Sequence, residues 1–185
     1  MFGSMDAQLF GETRVKVRDM KIYKPLIIAF SLALLLSGCS KNGTLASSES
    51  FTVEAGASIG PVHSGMTMQQ VTKVLGEPSR TLKGLLEYQH LGLIILPEKG
   101  GLVGSVMCVS HGKGGAAVRS FAGHTKEGIG IGASRAEVIS AYGTPLDIES
   151  HTNYEHLIYY KTRGINFVIK NEKVDEITVY LHHDA

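Results

Sequence analysis

Tryptophan is absent from this chain and cysteine is scarce, with Cys39 and Cys108 the only two. Two cysteines allow at most one disulfide, so most of the fold must be held by packing rather than by covalent staples. Charge of one sign is also missing: 18 basic residues stand against 17 acidic ones across 185 positions. From Cys39 onward there are 13 basic and 14 acidic residues, a net charge of −1 over 147 residues. No basic stripe is available for phosphates, which argues against a nucleic-acid partner. Long apolar runs are missing as well. The stretch from Leu26 to Leu36 covers eleven residues, whereas a bilayer-spanning helix needs about 20.

What that stretch does offer is an address. Lys21 and Lys24 precede it, and Leu36-Ser37-Gly38-Cys39 closes it. A basic start, a short apolar middle and small residues at the cut describe a removable secretory signal. The tetrapeptide resembles the lipobox read by lipoprotein signal peptidase, with Leu36, Ser37 and Gly38 as the recognition residues and Cys39 as the lipidation site. Acylation at Cys39 would remove the disulfide option altogether. An ordinary core cysteine behind a signal is the competing reading. Each buried methylene of an acyl chain contributes about 0.8 kcal/mol to membrane affinity, so several chains together dominate it. Ser40 in place of aspartate favours the outer membrane over inner-membrane retention by resemblance to Gram-negative sorting, with Gram-positive anchoring left open. Residues 1–19 fit no part of a signal, and Met20-Lys21 reads as the natural start, with a genuine long basic leader as the alternative. Residues 39–50, with SKNGTLASSES from Ser40, are small and polar and read as a flexible tether.

A pattern then occurs twice. Gly65-Met66-Thr67-Met68-Gln69-Gln70-Val71 matches Gly132-Ala133-Ser134-Arg135-Ala136-Glu137-Val138, and Leu75-Gly76-Glu77-Pro78 matches Tyr142-Gly143-Thr144-Pro145. Thr67 with Gln70, and Ser134 with Glu137, have the spacing of capping boxes. Gly76 and Gly143 stand where left-handed C-caps are wanted, and Pro78 and Pro145 forbid continuation. Val71, Val74 and Leu75 form one apolar face, and Val138, Ile139 and Tyr142 the other. Strands are expected over 85–90, 93–96 and 102–109, and again over 154–161, 165–170 and 174–181, with Tyr88 matching Tyr160 and Gly92 matching Gly164. Ile165, Phe167 and Ile169, like Ile177, Val179 and Leu181, alternate with more polar neighbours, the period of a sheet with one buried face. Turns are expected at Asn171-Glu172, at 97–101 and at 112–115, and further strands at 51–54 and 116–121. The chain therefore divides into residues 1–38, 39–50, a first repeat over 51–121 and a second over 122–185. The fold class is α+β: two tandem repeats, each a short capped helix on an antiparallel meander, together forming one extended sheet.

These helix caps and spacings, over residues 59–181, resemble the SmpA/OmlA domain, the family of BamE-like outer-membrane lipoproteins. Two units in tandem are also similar to the repeat architecture of the β-lactamase inhibitor protein. The resemblance implies a non-enzymatic, periplasm-facing scaffold that binds envelope proteins, or an inhibitor of a periplasmic or secreted enzyme. A third expectation is small-ligand carriage between helix layer and sheet.

No catalytic constellation emerges beside this, and neither a cofactor nor a metal is expected. Cys108 reads as a core residue in mid-strand. His151 and His156, five apart, would lie on opposite faces of a strand, and His182-His183-Asp184 sits at the C-terminus. Gly128-Ile129-Gly130-Ile131-Gly132 lacks the spacing of a dinucleotide loop and reads as close backbone packing. Asp175 and Glu176, adjacent in a strand, should point apart. Tyr154, Tyr159, Tyr160 and Tyr180 suit either a protein interface or core filling.

Overall fold

The computed structural model describes residues 51–181 apart from 114 and 116. The lipobox Leu36, Ser37, Gly38 and Cys39, the tether and His182-His183-Asp184 lie outside the described residues.

Three short strands open the fold, β1 (Thr52–Glu54), β2 (Ser58–Ile59) and β3 (Val62–His63), followed by helix α1 (Met68–Leu75). Four strands follow: β4 (Arg80–Leu82), β5 (Leu85–Tyr88), β6 (Leu93–Pro97) and β7 (Val103–Val109). After β8 (His124–Thr125), the chain again makes a helix, α2 (Arg135–Tyr142), then β9 (Asp147–Ser150), β10 (Glu155–Ile158), the single turn α3 (Tyr160–Arg163), β11 (Ile165–Lys170) and β12 (Lys173–Tyr180). Eight strands form one sheet in the order β4-β5-β6-β7-β12-β11-β10-β9, and every pairing in it is antiparallel. A smaller sheet, β3-β2-β1-β8, contains the one parallel pair among the described residues, β1 with β8. The fold is therefore α+β and dominated by antiparallel strands.

Both helices are two turns long, too short to persist without capping and packing. The Gln70 amide donates to Thr67 Oγ1 at 3.2 Å while the Thr67 amide donates to Gln70 Oε1 at 2.8 Å. Ser134 and Glu137 repeat the exchange at 3.2 and 2.6 Å. At the far ends, Gly76 and Gly143 have positive φ, as expected, but with ψ near −170° and −163°. That is an extended, glycine-only conformation rather than the left-handed cap. It turns the chain straight out toward β4 and β9.

The helices lie on one face of the large sheet. Val71 and Leu75 of α1, and Val138 and Tyr142 of α2, bury against Tyr88, Leu93, Ile95, Val106, Cys108, Leu157, Phe167, Ile177 and Val179, in one core that also takes Val53, Ile59 and Val62 of the small sheet. Full burial of such a side chain contributes about 1.5–3 kcal/mol. Val74 departs from the expected face and is 47% exposed. The helix sits on the sheet along its Val71–Leu75 line, an i, i+4 ridge that leaves Val74 to one side.

Two tyrosines tie strands to helix ends. Tyr88 Oη donates to the Gly76 carbonyl at 3.1 Å, and Tyr159 Oη to the Gly143 carbonyl at 2.8 Å. The tyrosine equivalent to Tyr88 in this role is thus Tyr159, not Tyr160. Tyr160 instead begins α3, which shortens the expected strand over 154–161 to Glu155–Ile158 before Gly164 ends the turn in the left-handed conformation.

Of the strand expected over 116–121, the described residues 117–121 form none. Their amides donate to separate places, Arg119 to the Gln89 carbonyl and Phe121 to that of Val109, so the segment crosses the strand ends instead of running beside one. It passes over Gly92, where a Cβ would meet the Phe121 nitrogen at 2.4 Å. Asn171 and Glu172 make the tight turn between β11 and β12 with φ of 51° and 62°, the two left-handed residues of a type I′ hairpin. Strands β4 and β9, which the periodicity does not predict, complete the two ends of the sheet.

Candidate functional site

One row of the sheet runs Arg80, Glu87, Ile94, Met107, Thr178, Asn166, Ile158, Asp147, crossing all eight strands on the face away from the helices. Beside it, Val109, Glu176, Val168, His156 and Glu149 make a second row on β7, β12, β11, β10 and β9. A groove of about 750 Å³ lies over this part of the sheet. Met107, Val168 and Glu176 contribute to its floor, the turn holding Ser110 and Lys113 borders one side, and Asn153 and Tyr154 of the β9–β10 hairpin border the other.

A bulge shapes the groove. Val168 pairs with Glu176 and Ile169 with Val174, so Asp175 is the extra residue on β12. An extra residue breaks the alternation and re-aims the side chains around it. Asp175 and Glu176 consequently converge, which corrects the expectation that they point apart. Lys113 Nζ lies 3.3 Å from Asp175 Oδ2 and 2.7 Å from Glu176 Oε2. Ser110 Oγ donates to Asp175 Oδ1 at 2.5 Å, and Thr178 Oγ1 donates to Glu176 Oε1 at 2.8 Å. Glu176 is only 6% exposed, and both of its oxygens are bonded within the site, Oε1 to Thr178 and Oε2 to Lys113. For Asp175, burial pushes the carboxyl pKa up, but the Ser110 hydroxyl and the Lys113 ammonium outweigh it and hold the group below its ordinary value.

At the hairpin, His151 stacks on Tyr154 with ring centroids 4.5 Å apart, and His156 stands edge-on to both at 6.2 and 5.6 Å. The two histidines are therefore neighbours, not residues on opposite faces of a strand. The spacing runs through a turn, closed by the His151 amide on the Tyr154 carbonyl at 2.9 Å, and the strand begins only at Glu155. Glu149 Oε2 is 3.6 Å from His156 Nδ1. Among the described residues, no group of three or more His, Cys, Asp or Glu side chains could hold a metal ion.

The tyrosines divide. Tyr154 and Tyr160 are 39% and 36% exposed, Tyr180 is half-buried against Tyr160 with its Oη accepting from Asn166 Nδ2, and Tyr159 belongs to the core. Cys108 is fully buried on the helix side, opposite Leu93 and Ile177. Burial, with Glu176 adding to it, pushes its thiol far up, the reverse of what a nucleophile needs. Gly128 to Gly132 form the approach to α2, bridged through Gly130 to His124, in keeping with close backbone packing. Tyr142 donates to Glu127 Oε2 at 2.6 Å under the Arg163 guanidinium, a polar clamp on the end of α2.

The convergence of Ser110, Lys113, Asp175 and Glu176 is not read from the sequence, although it leaves a trace there. The apolar spacing on β12 is three from Val174 to Ile177 and two thereafter.

No protein-family model matches the chain, and no curated protein matches it. Among solved structures it is similar to a DUF4309 family protein, YjgB, from Bacillus subtilis subsp. subtilis str. 168, at 14% identity and a TM-score of 0.44, over 64% of this chain and 80% of that one.

Proposed function

We propose that this chain is a non-enzymatic, lipid-anchored lipoprotein of the cell envelope that binds a protein partner through the groove on the open face of its large sheet. The observation that carries the reading is that groove: a sheet floor with Met107 and Val168, an exposed Tyr154 at its rim, and two carboxylates paired to the single Lys113 ammonium. Tyrosine and methionine beside satisfied charges are favoured contact material at interfaces. Cys108, the cysteine among the described residues, is turned into the core with a suppressed thiolate and offers the groove no nucleophile.

The proposal includes a tandem SmpA/BamE-like duplication. What supports it is that each capped helix precedes four strands, that Tyr88 and Tyr159 reach equivalent cap carbonyls, and that β7 meets β12, last strand to last strand. Anchoring at Cys39, outer-membrane placement and a periplasm-facing orientation rest on the lipobox and on Ser40. The inhibitor alternative draws on the compactness of the groove, since an enzyme inhibitor needs one hot spot and a scaffold tolerates a diffuse face.

The test is a crosslinked pull-down of the full chain from detergent-solubilised envelopes, beside Cys39→Ala and Tyr154→Ala forms. A membrane complex lost in both variants supports the scaffold. A single soluble enzyme retained by Cys39→Ala and lost by Tyr154→Ala supports the inhibitor. Capture unaffected by Tyr154→Ala, or no stoichiometric partner, removes the groove as the binding surface.

A further inference from the structure

Among the described residues, both ends of the eight-stranded sheet are open edges: β4 pairs only with β5, and β9 only with β10. Every residue of both strands is exposed. An unprotected edge presents a row of backbone donors and acceptors, and proteins ordinarily blunt it with charge. Here the charges differ in sign. β4 carries Arg80 and is followed by Lys83, whereas β9 carries Asp147 and Glu149.

Apolar exposure concentrates at the same two places. Leu82 on β4, Ile148 on β9 and Leu146 just before it are 49%, 41% and 54% exposed, half of the large apolar side chains that are exposed among the described residues. The Ile148 amide donates to the Asp147 carboxylate at 2.8 Å, a local bond that a strand carbonyl could replace.

Parity supplies the geometry. With eight strands and every pairing antiparallel, β4 and β9 run in opposite directions. Placing β4 of one molecule beside β9 of the next therefore continues the antiparallel sheet without reversing either molecule. Arg80 and Asp147 end the same cross-sheet row, so both charges lie on the same face. Antiparallel pairing over the full strands sets Arg80 opposite Glu149, Thr81 opposite Ile148 and Leu82 opposite Asp147, with Arg80 also within diagonal reach of Asp147. Two-fold pairing of β9 with β9 about Ile148 would set Asp147 against Glu149, acid against acid, and β4 with β4 about Thr81 would set Arg80 against Leu82, leaving the charges of both edges without a partner.

From this we infer that a second copy of this chain docks on the open edge, β4 to β9 and head to tail. The contact is heterologous, so the twist of each sheet passes to the next copy and the series closes as a ring or extends as a filament. This interface is independent of the groove reading. It uses neither Lys113 nor Tyr154.

The experiment is disulfide trapping of the full chain in a neutral detergent, with Thr81→Cys, Ile148→Cys and the double variant, and the parent carrying Cys39 and Cys108 as the blank. Directly opposed strand residues fall within disulfide range. The double variant is expected to give a ladder of dimer, trimer and higher species absent from the blank. The two single variants give a dimer only when mixed. Adding Arg80→Glu is expected to weaken the ladder at least tenfold, and adding Glu149→Arg to that form restores it. A dimer from either single variant alone would mean a two-fold edge contact, and no species above the blank at any protein concentration would mean a monomer. Either overturns the inference.

Discussion

Replacing Lys113 by methionine is the perturbation that most directly probes how the groove is built. Methionine keeps much of the stem and its packing while deleting the ammonium that faces both Asp175 and Glu176. Removing one partner of a fully buried ion pair costs about 3–5 kcal/mol, and a fully exposed pair is worth about 0–1 kcal/mol. Lys113 is one-third exposed and Asp175 about one-quarter, but Glu176 is nearly closed off, so the cost at pH 7 should be about 2 kcal/mol. The pH dependence carries the specific signature. In the parent, Asp175 titrates below its unfolded value, so its contribution is full above that value and is lost as pH falls through the folded one. In the variant the ammonium is lost while burial and the Ser110 hydroxyl remain, so the Asp175 pKa moves up toward its unfolded value and its contribution shrinks. The gap from the parent therefore widens as pH rises from below the folded Asp175 value to above the unfolded one at about 4. Urea unfolding of both forms across that range measures it. A gap that is the same at every pH, or absent at pH 7, would refute the electrostatic account of the groove.

Further outcomes follow from single contacts. Tyr159→Phe and Tyr88→Phe should each cost about 1 kcal/mol in denaturant unfolding through the lost bond to a helix-cap carbonyl, while Tyr160→Phe stays within about 0.5 kcal/mol; equal effects at 159 and 160 would contradict the tyrosine assignment. Ser134→Ala should cost about 1 kcal/mol by uncapping α2, and Ser134→Gly only a few tenths. Gly92→Ala should be among the most damaging substitutions, since the new Cβ strikes backbone at 2.4 Å and φ is +67°, and a melting temperature equal to the parent's would refute the crossing of residues 119–121. Cys108 should resist iodoacetamide in the native protein and react once urea unfolds it, because its thiol is buried and its ionisation suppressed.

Much of the fold was legible from residue order. The two helices were, because a capping box is a three-residue signal and Thr67–Gln70 and Ser134–Glu137 close it locally. The long strands were, because Ile165-Phe167-Ile169 and Ile177-Val179-Leu181 alternate, and the Asn171-Glu172 turn sits between them. Cys108 as a core residue followed from its place in such a strand. Strands β4 and β9 were not legible: RTL and DIES are too short for a period and acquire strand geometry only by pairing with β5 and β10. Residues 116–121 look like a strand by composition, but Val118, Arg119 and Phe121 donate to separate segments. Counting by two puts His151 and His156 on opposite faces, but the turn at Asn153-Tyr154 interrupts the strand between them and brings the rings together.

The chain by itself determined the punctuation, the two capped helices and the alternating strands that follow them, all set by neighbours within a few residues. Tertiary structure decided the groove and the edges. Ser110 and Lys113 reach Asp175 across 65 and 62 residues, through a bulge that shifts the strand register. The opposed charges of β4 and β9 acquire meaning only once six strands separate them. Local signals specify elements because their partners are near in sequence, whereas a surface is made by residues that only folding brings together.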